Sequence, residues 1–137
     1  MSFLVATACV RRPPVPTIRI ISPVDGSTIP AGDVTVTVLV SNFNLVNRKG
    51  QPNVPGEGHI HYFKDAIPPT EPGLPAVAGP GKYYPTSANT YTWEEVEPGS
   101  HVFWAELVNS DLTPLYPPAF AGVTVTVIAT ETPSPTP

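Results

Sequence analysis

Between Asp33 and Ser41 the chain alternates without a break. Val34, Val36, Val38 and Val40 fall on one side, and Thr35, Thr37, Leu39 and Ser41 on the other. A period of two sustained over that length predicts a half-buried β-strand. Shorter runs of the same character lie at Ile18–Ile21, Gly58–Lys64, Thr90–Trp93 and Val102–Asn109. In a further run Val123, Val125 and Val127 alternate with Thr124, Thr126 and Ile128. Turn chemistry in "VDGS" and "PAGD" separates the first two runs. A polar stretch, "NFNLVNRKGQPNVPGEG", follows the second. The connection from Asp65 to Asn89 is long and holds six prolines and three glycines. Loops of that length inside a compact domain are usually functional or partly disordered. No proline-free run of helical length shows a helical period. The pattern predicts an all-β fold, an immunoglobulin-like antiparallel β-sandwich of about seven strands with Pro-rich loops. It would span residues 17–129.

Composition sharpens the boundaries. Of 137 residues, 20 are proline, crowded into "RRPPVP", "IPPTEPGLPAVAGPG", "PLYPPAF" and "TPSPTP". Residues 10–16 read as a stiff Pro-rich tether, because proline fixes φ and extends its predecessor. Residues 130–137 read as a Thr/Pro-rich linker with too little apolar surface to order itself. With 7 basic against 11 acidic residues there is no basic face, which argues against a nucleic-acid partner or an anionic-lipid patch. The single cysteine, Cys9, allows no disulfide within the chain and no CxxC metal motif. No segment after it reaches the ~18 apolar residues of a membrane span.

Position gives Cys9 its interest. "SFLVATAC" resembles the tail of a bacterial lipoprotein signal, which implies a lipid-attachment site at Cys9 and a signal-like remnant over residues 1–9. It departs from that pattern in having Ala6 where leucine is usual, and in lacking a basic leading region. The expected location is extracytoplasmic, at the cell surface or secreted, with membrane contact only through a lipid anchor. The expected partners are other surface or wall components, or further domains of the same chain.

The candidate chemistry centres on three histidines. His59 and His61 are two apart in a strand and share a face. In an immunoglobulin-like order, "GHIHYFK" and "SHVFWAELVN" are the third and sixth strands, antiparallel neighbours. That pairing places His59 and His61 beside Leu107–Asp111, and His101 beside Phe63–Asp65. The separation is on the order of four residues at ~3.3 Å each, too far for three imidazoles to share an ion. Charged Lys64 and Glu106 are expected in water, Glu106 on the face of Trp104. That choice turns His59, His61 and Phe63 inward with Phe103, Ala105 and Leu107, and Ile60 and Tyr62 outward. Half-buried imidazoles need partners, and Asn109, Asp111 and Glu57 are the nearest polar candidates.

"SPVDGSTIPAGDVTVTV" resembles the opening strands of extracellular bacterial immunoglobulin-like modules. "GEGHIHYFKD" followed by "PGSHVFWAELVNSDLTPLYPP" resembles bacterial extracytoplasmic immunoglobulin-like domains with a "GHxHxxxD" strand and an "AELVNxDHTPL"-like strand end. These sometimes occur beside copper-binding cupredoxin domains. Where that pattern has histidine after aspartate, this chain has Leu112. The resemblance leaves His59, His61 and Asp111 as a possible ligand set for copper or zinc, and equally as a metal-free hydrogen-bonded network. "PGSHVFWA" resembles the turn into the sixth strand of such modules, where a corner histidine bonds to backbone.

No nucleophile elbow, phosphate loop, HExxH or paired-carboxylate signature is present. Glu94, Glu95 and Glu97 read as a solvated turn, and the chain is expected not to be an enzyme. Tyr83 and Tyr84 in the long loop, with Trp93, Trp104 and Tyr116, are candidates for stacking on sugar rings or for packing. The expected function is a structural, adhesive or ligand-presenting module. A copper- or zinc-binding accessory domain and a carbohydrate-binding module are the alternatives.

Overall fold

The computed structural model describes residues 14–130. Cys9, the signal-like segment and most of the tether and of the Thr/Pro linker lie outside them, and the lipid-attachment reading with them. Nine strands follow one another: β1 (Thr17–Ser22), β2 (Thr28–Pro30), β3 (Gly32–Ser41), β4 (Asn44–Leu45), β5 (Glu57–Lys64), β6 (Tyr83–Thr86), β7 (Thr90–Val96), β8 (Gly99–Asn109) and β9 (Phe120–Ile128). No helix occurs among the described residues. One sheet has the order β1-β3-β7, the other β2-β9-β8-β5-β4, with β6 also paired to β5. The chain crosses between sheets after β1, β2, β3, β6 and β7. This is an immunoglobulin-like sandwich. The six runs visible in the sequence became β1, β3, β5, β7, β8 and β9. The additional strands β2, β4 and β6 are two to four residues long, too short to show a period.

The core forms where alternating runs face each other. Val34, Val36 and Val38 of β3 meet Ile60 and Tyr62 of β5, Phe103, Ala105 and Leu107 of β8, and Val123, Val125 and Val127 of β9. Val36, Phe103 and Leu107 have no exposed surface. The β5–β8 register pairs His59 with Val108, His61 with Glu106, Phe63 with Trp104 and Lys64 with Phe103. Directly opposed residues share a face. The two histidine-bearing strands, β5 and β8, are therefore antiparallel neighbours as expected, but the faces of β5 are the reverse of the expectation. Ile60 and Tyr62 point between the sheets, while His59, His61 and Phe63 share the outer face with Trp104, Glu106 and Val108. The expectation rested on two charges needing water. Glu106 has none, because a second layer covers it, and Lys64 reaches over the Trp93 ring, 5.3 Å from its centroid.

The side of the sandwich between β6 and β7 is closed by aromatics. Tyr84 stacks on Tyr91 with centroids 4.3 Å apart, and Trp93 meets Tyr91 edge-on at 4.9 Å. The Tyr62 hydroxyl donates to the Ala88 carbonyl at 3.0 Å. At the ends, Thr17 pairs with Ser41 and Ile128 with Pro30. The first strand thus starts at one pole, where β3 ends, and the last strand finishes at the other, where β3 begins.

Candidate functional site

β5 begins with "GEG", and each glycine has a task. Gly56 sits at φ +80, open to glycine far more readily than to other residues. Gly58 has ordinary φ but no room, because a Cβ there would collide with the Val108 carbonyl oxygen and approach the Phe43 ring to 2.8 Å. That close approach pulls the start of β5 against β8. The next residues then place His59 and His61 side by side on the outer face, both with no exposed surface.

Their cover is the Pro-rich connection between β5 and β6, residues 65–82, which lies over this face as a strap. Ala76 is its plug, fully buried, with both backbone groups engaged. Its amide donates to the Leu112 carbonyl at 2.8 Å. Its carbonyl accepts from His61 Nδ1 at 2.6 Å. Tyr83, where the strap joins β6, packs its ring 5.7 Å from His61 and 6.2 Å from Phe63. From the other side the β4–β5 connection is tied down by Gly50, whose amide donates to the Ser110 carbonyl at 2.8 Å.

Hydrogen bonding fixes the protons. His61 donates from Nδ1 to Ala76, so its neutral ring can only accept at Nε2. His59 Nε2 lies 3.0 Å from that atom and is the donor. His59 Nδ1 is then a bare acceptor, buried and without a partner. Burial first, then the neighbouring His61 and the Lys49 ammonium, lower the His59 pKa to about 4. Burial also lowers His61, against the bond to Ala76, with Lys49 acting in the same direction as burial. Glu106, opposite His61, is fully buried with both carboxyl oxygens unpartnered, and burial pushes it up to about 8. At neutral pH the layer under the strap holds two neutral imidazoles and a protonated carboxyl. A charge without a partner there would be costly.

The other sequence candidates go elsewhere. Asp111 is exposed and accepts from the Thr113 amide through its own Oδ1, capping its turn. Among the described residues no three His, Cys, Asp or Glu side chains are placed to hold a metal ion together, so the His59, His61, Asp111 set is not assembled. The reason is the reversed facing of β5 combined with the tight turn after β8, where Leu112 takes φ 75. His101 stands apart from the pair, as the pairing predicts. Its Nε2 bonds to the Glu97 carbonyl at 2.7 Å, the expected corner bond to backbone, and its Nδ1 lies 2.6 Å from Asp65 Oδ2. Tyr83 and Tyr84 do not form one platform: Tyr83 faces the histidines and Tyr84 lies flat on Tyr91.

Glu106 and Ala76 are the members of this layer that the sequence reading missed. A signal for the first existed. Trp104 and Val108 flank Glu106 on its own face, and "HIHYF" is apolar or aromatic on both faces, the mark of a strand covered on both sides.

No protein-family model matches the chain, and no curated protein does. Solved structures resemble it at low identity. An engineered protein covers 85% of this chain with 16% identity and a TM-score of 0.46. Fibronectin(III)-like modules of Clostridium thermocellum CbhA cover 81% with 17% identity and a TM-score of 0.48, and 94% of that chain is matched. The endo-beta-1,4-mannanase from Thermotoga petrophila covers 88% with 12% identity and a TM-score of 0.49. This chain spans about a fifth of the engineered protein and of the mannanase, 21% in each case.

Proposed function

We propose that this chain is a non-enzymatic, extracytoplasmic module of a surface or secreted protein, set in line as a spacer that holds neighbouring segments apart and presents them. The observation that carries this reading is the placement of the strand ends. β1 starts beside Ser41 and β9 ends beside Pro30, at opposite poles of the sandwich. The ten-residue β3 between the poles measures about 33 Å at ~3.3 Å per residue. Chain entering at one pole and leaving from the other adds that length to the whole. The Pro-rich sequence before Thr17 and the Thr/Pro sequence after Ile128 support it, since proline-rich sequence is the usual composition of spacers. The extracytoplasmic location rests on the small-residue run before Cys9.

The test replaces residues 17–129, in the organism that makes the protein, with an unrelated sandwich whose ends also lie at opposite poles. Surface display and reach of the flanking segments should survive the exchange and be lost on deletion. Loss on exchange as severe as on deletion would sink the spacer reading in favour of recognition by this domain's own surface.

A further inference from the structure

We propose that His59 and His61 hold a single soft monovalent cation, Cu(I) or its analogue Ag(I), between their Nε2 atoms beneath the strap. The two nitrogens already face each other at 3.0 Å. A linear ion with two imidazole bonds of ~2 Å each needs the nitrogens roughly 4 Å apart. The rings must therefore part by about 1 Å in all, while the backbone of β5 stays in register. The ion takes the place of the proton between the rings. That proton moves to His59 Nδ1, so both Nε2 lone pairs face the ion and both rings stay neutral.

Ligand number selects the class of ion. Zn(II) asks for four ligands, and among the described residues no third His, Cys, Asp or Glu side chain joins the pair. A d10 monovalent ion is satisfied by two. Charge selects the same way, since a covered, water-poor layer disfavours a divalent ion more than a monovalent one. The outer shell is built. His61 Nδ1 donates to the Ala76 carbonyl, which fixes the ring and aims Nε2, the usual arrangement behind a ligating histidine. A second, independent feature points to a positive guest. Glu106, directly opposite His61, is a fully buried carboxyl with no partner at either oxygen. A hydrophobic residue there would serve the fold better. Glu106 is not a ligand itself, and its place is across the pair on the neighbouring strand. Entry is through the strap, whose plug is held by the two backbone bonds of Ala76.

The experiment titrates the folded protein with Cu(I), supplied as such in oxygen-free buffer against a chromophoric Cu(I) chelator, with Ag(I) and Zn(II) as parallel arms. Wild type should withdraw one ion per chain, Ag(I) should compete, and Zn(II) should not. X-ray absorption should show two nitrogen neighbours. His59→Ala and His61→Ala should abolish the withdrawal, and His101→Ala should leave it unchanged. Glu106→Gln, which removes no ligand, should leave one ion per chain and two nitrogen neighbours. If the histidine variants fail to fold, the imidazole nitrogen resonances of wild type decide: Ag(I) should move both Nε2 signals. No withdrawal by wild type, retention in a folded histidine variant, a shift at Nδ1 of His61, or Zn(II) binding as tight as Cu(I) would each overturn the proposal. None of these results bears on the spacer reading, which rests on the poles.

Discussion

Replacing Glu106 by glutamine should stabilise the protein, and by an amount that depends on pH. Glu106 is fully buried, and its folded pKa is about 8 against 4.5 for a free carboxyl. In the unfolded chain it ionises at 4.5; in the folded one it holds its proton until about 8. Each pH unit between those values favours the unfolded chain by ~1.4 kcal/mol. At pH 7 the wild type has therefore lost about 3 kcal/mol relative to acid, and above pH 8 about 5 kcal/mol. Glutamine is neutral, nearly isosteric and needs the same kind of partners, so it removes the ionisation and little else. The variant should match wild type at pH 4 and exceed it by about 3 kcal/mol at pH 7. Urea unfolding of both proteins from pH 4 to 9 measures this directly. His59 titrates in both and cancels in the difference. A difference equal at pH 4 and pH 7 would refute the reasoning, because it would place Glu106 in water or beside a hidden partner.

His59 should give the opposite slope in acid. Its folded pKa is about 4 against 6.5, so the unfolded chain takes up the proton first. Stability should fall by about 3 kcal/mol from pH 6.5 to 4 on account of His59, a limb that urea unfolding should find shallower in His59→Gln, where His61 alone still contributes to it. Phe103→Ala, which empties the centre of the core, should cost about 3–5 kcal/mol in thermal or urea unfolding. Gly58→Ala drives a methyl into the Val108 carbonyl and should cost about 3 kcal/mol or more, whereas a change at Gly79, which has open space, should leave the melting temperature nearly unmoved.

The strand pattern was legible wherever one face of a strand meets water. β3 and β9 alternate in sequence and in burial alike, and their inward valines were readable without a structure. β5 defeated that logic because both of its faces are covered, and six consecutive residues from Gly58 to Phe63 are buried. With no polar face to orient it, two charges decided the reading, and one of them was the buried Glu106. The histidines' position along the strands was legible, since antiparallel pairing alone separates His101 from the pair. Their cover was not. Nothing in "IPPTEPGLPAVAGPG" marks Ala76 as the residue that closes over them, because its role lies in two backbone bonds and a lack of bulk.

The opposite poles also determine how the module meets a pull. β2 runs parallel to β9 over three residue pairs, with further bonds from Gly26 to Thr124, from Thr126 to Ser27 and from Ala31 to Ile128. Tension drawn backwards through β1 and forwards through β9 acts along these strands, not across them. The bonds between β2 and β9 then bear the load together in shear and must fail together, where a ladder opened from one end would yield bond by bond. A domain clasped in this way lengthens abruptly above a threshold force and stays rigid below it.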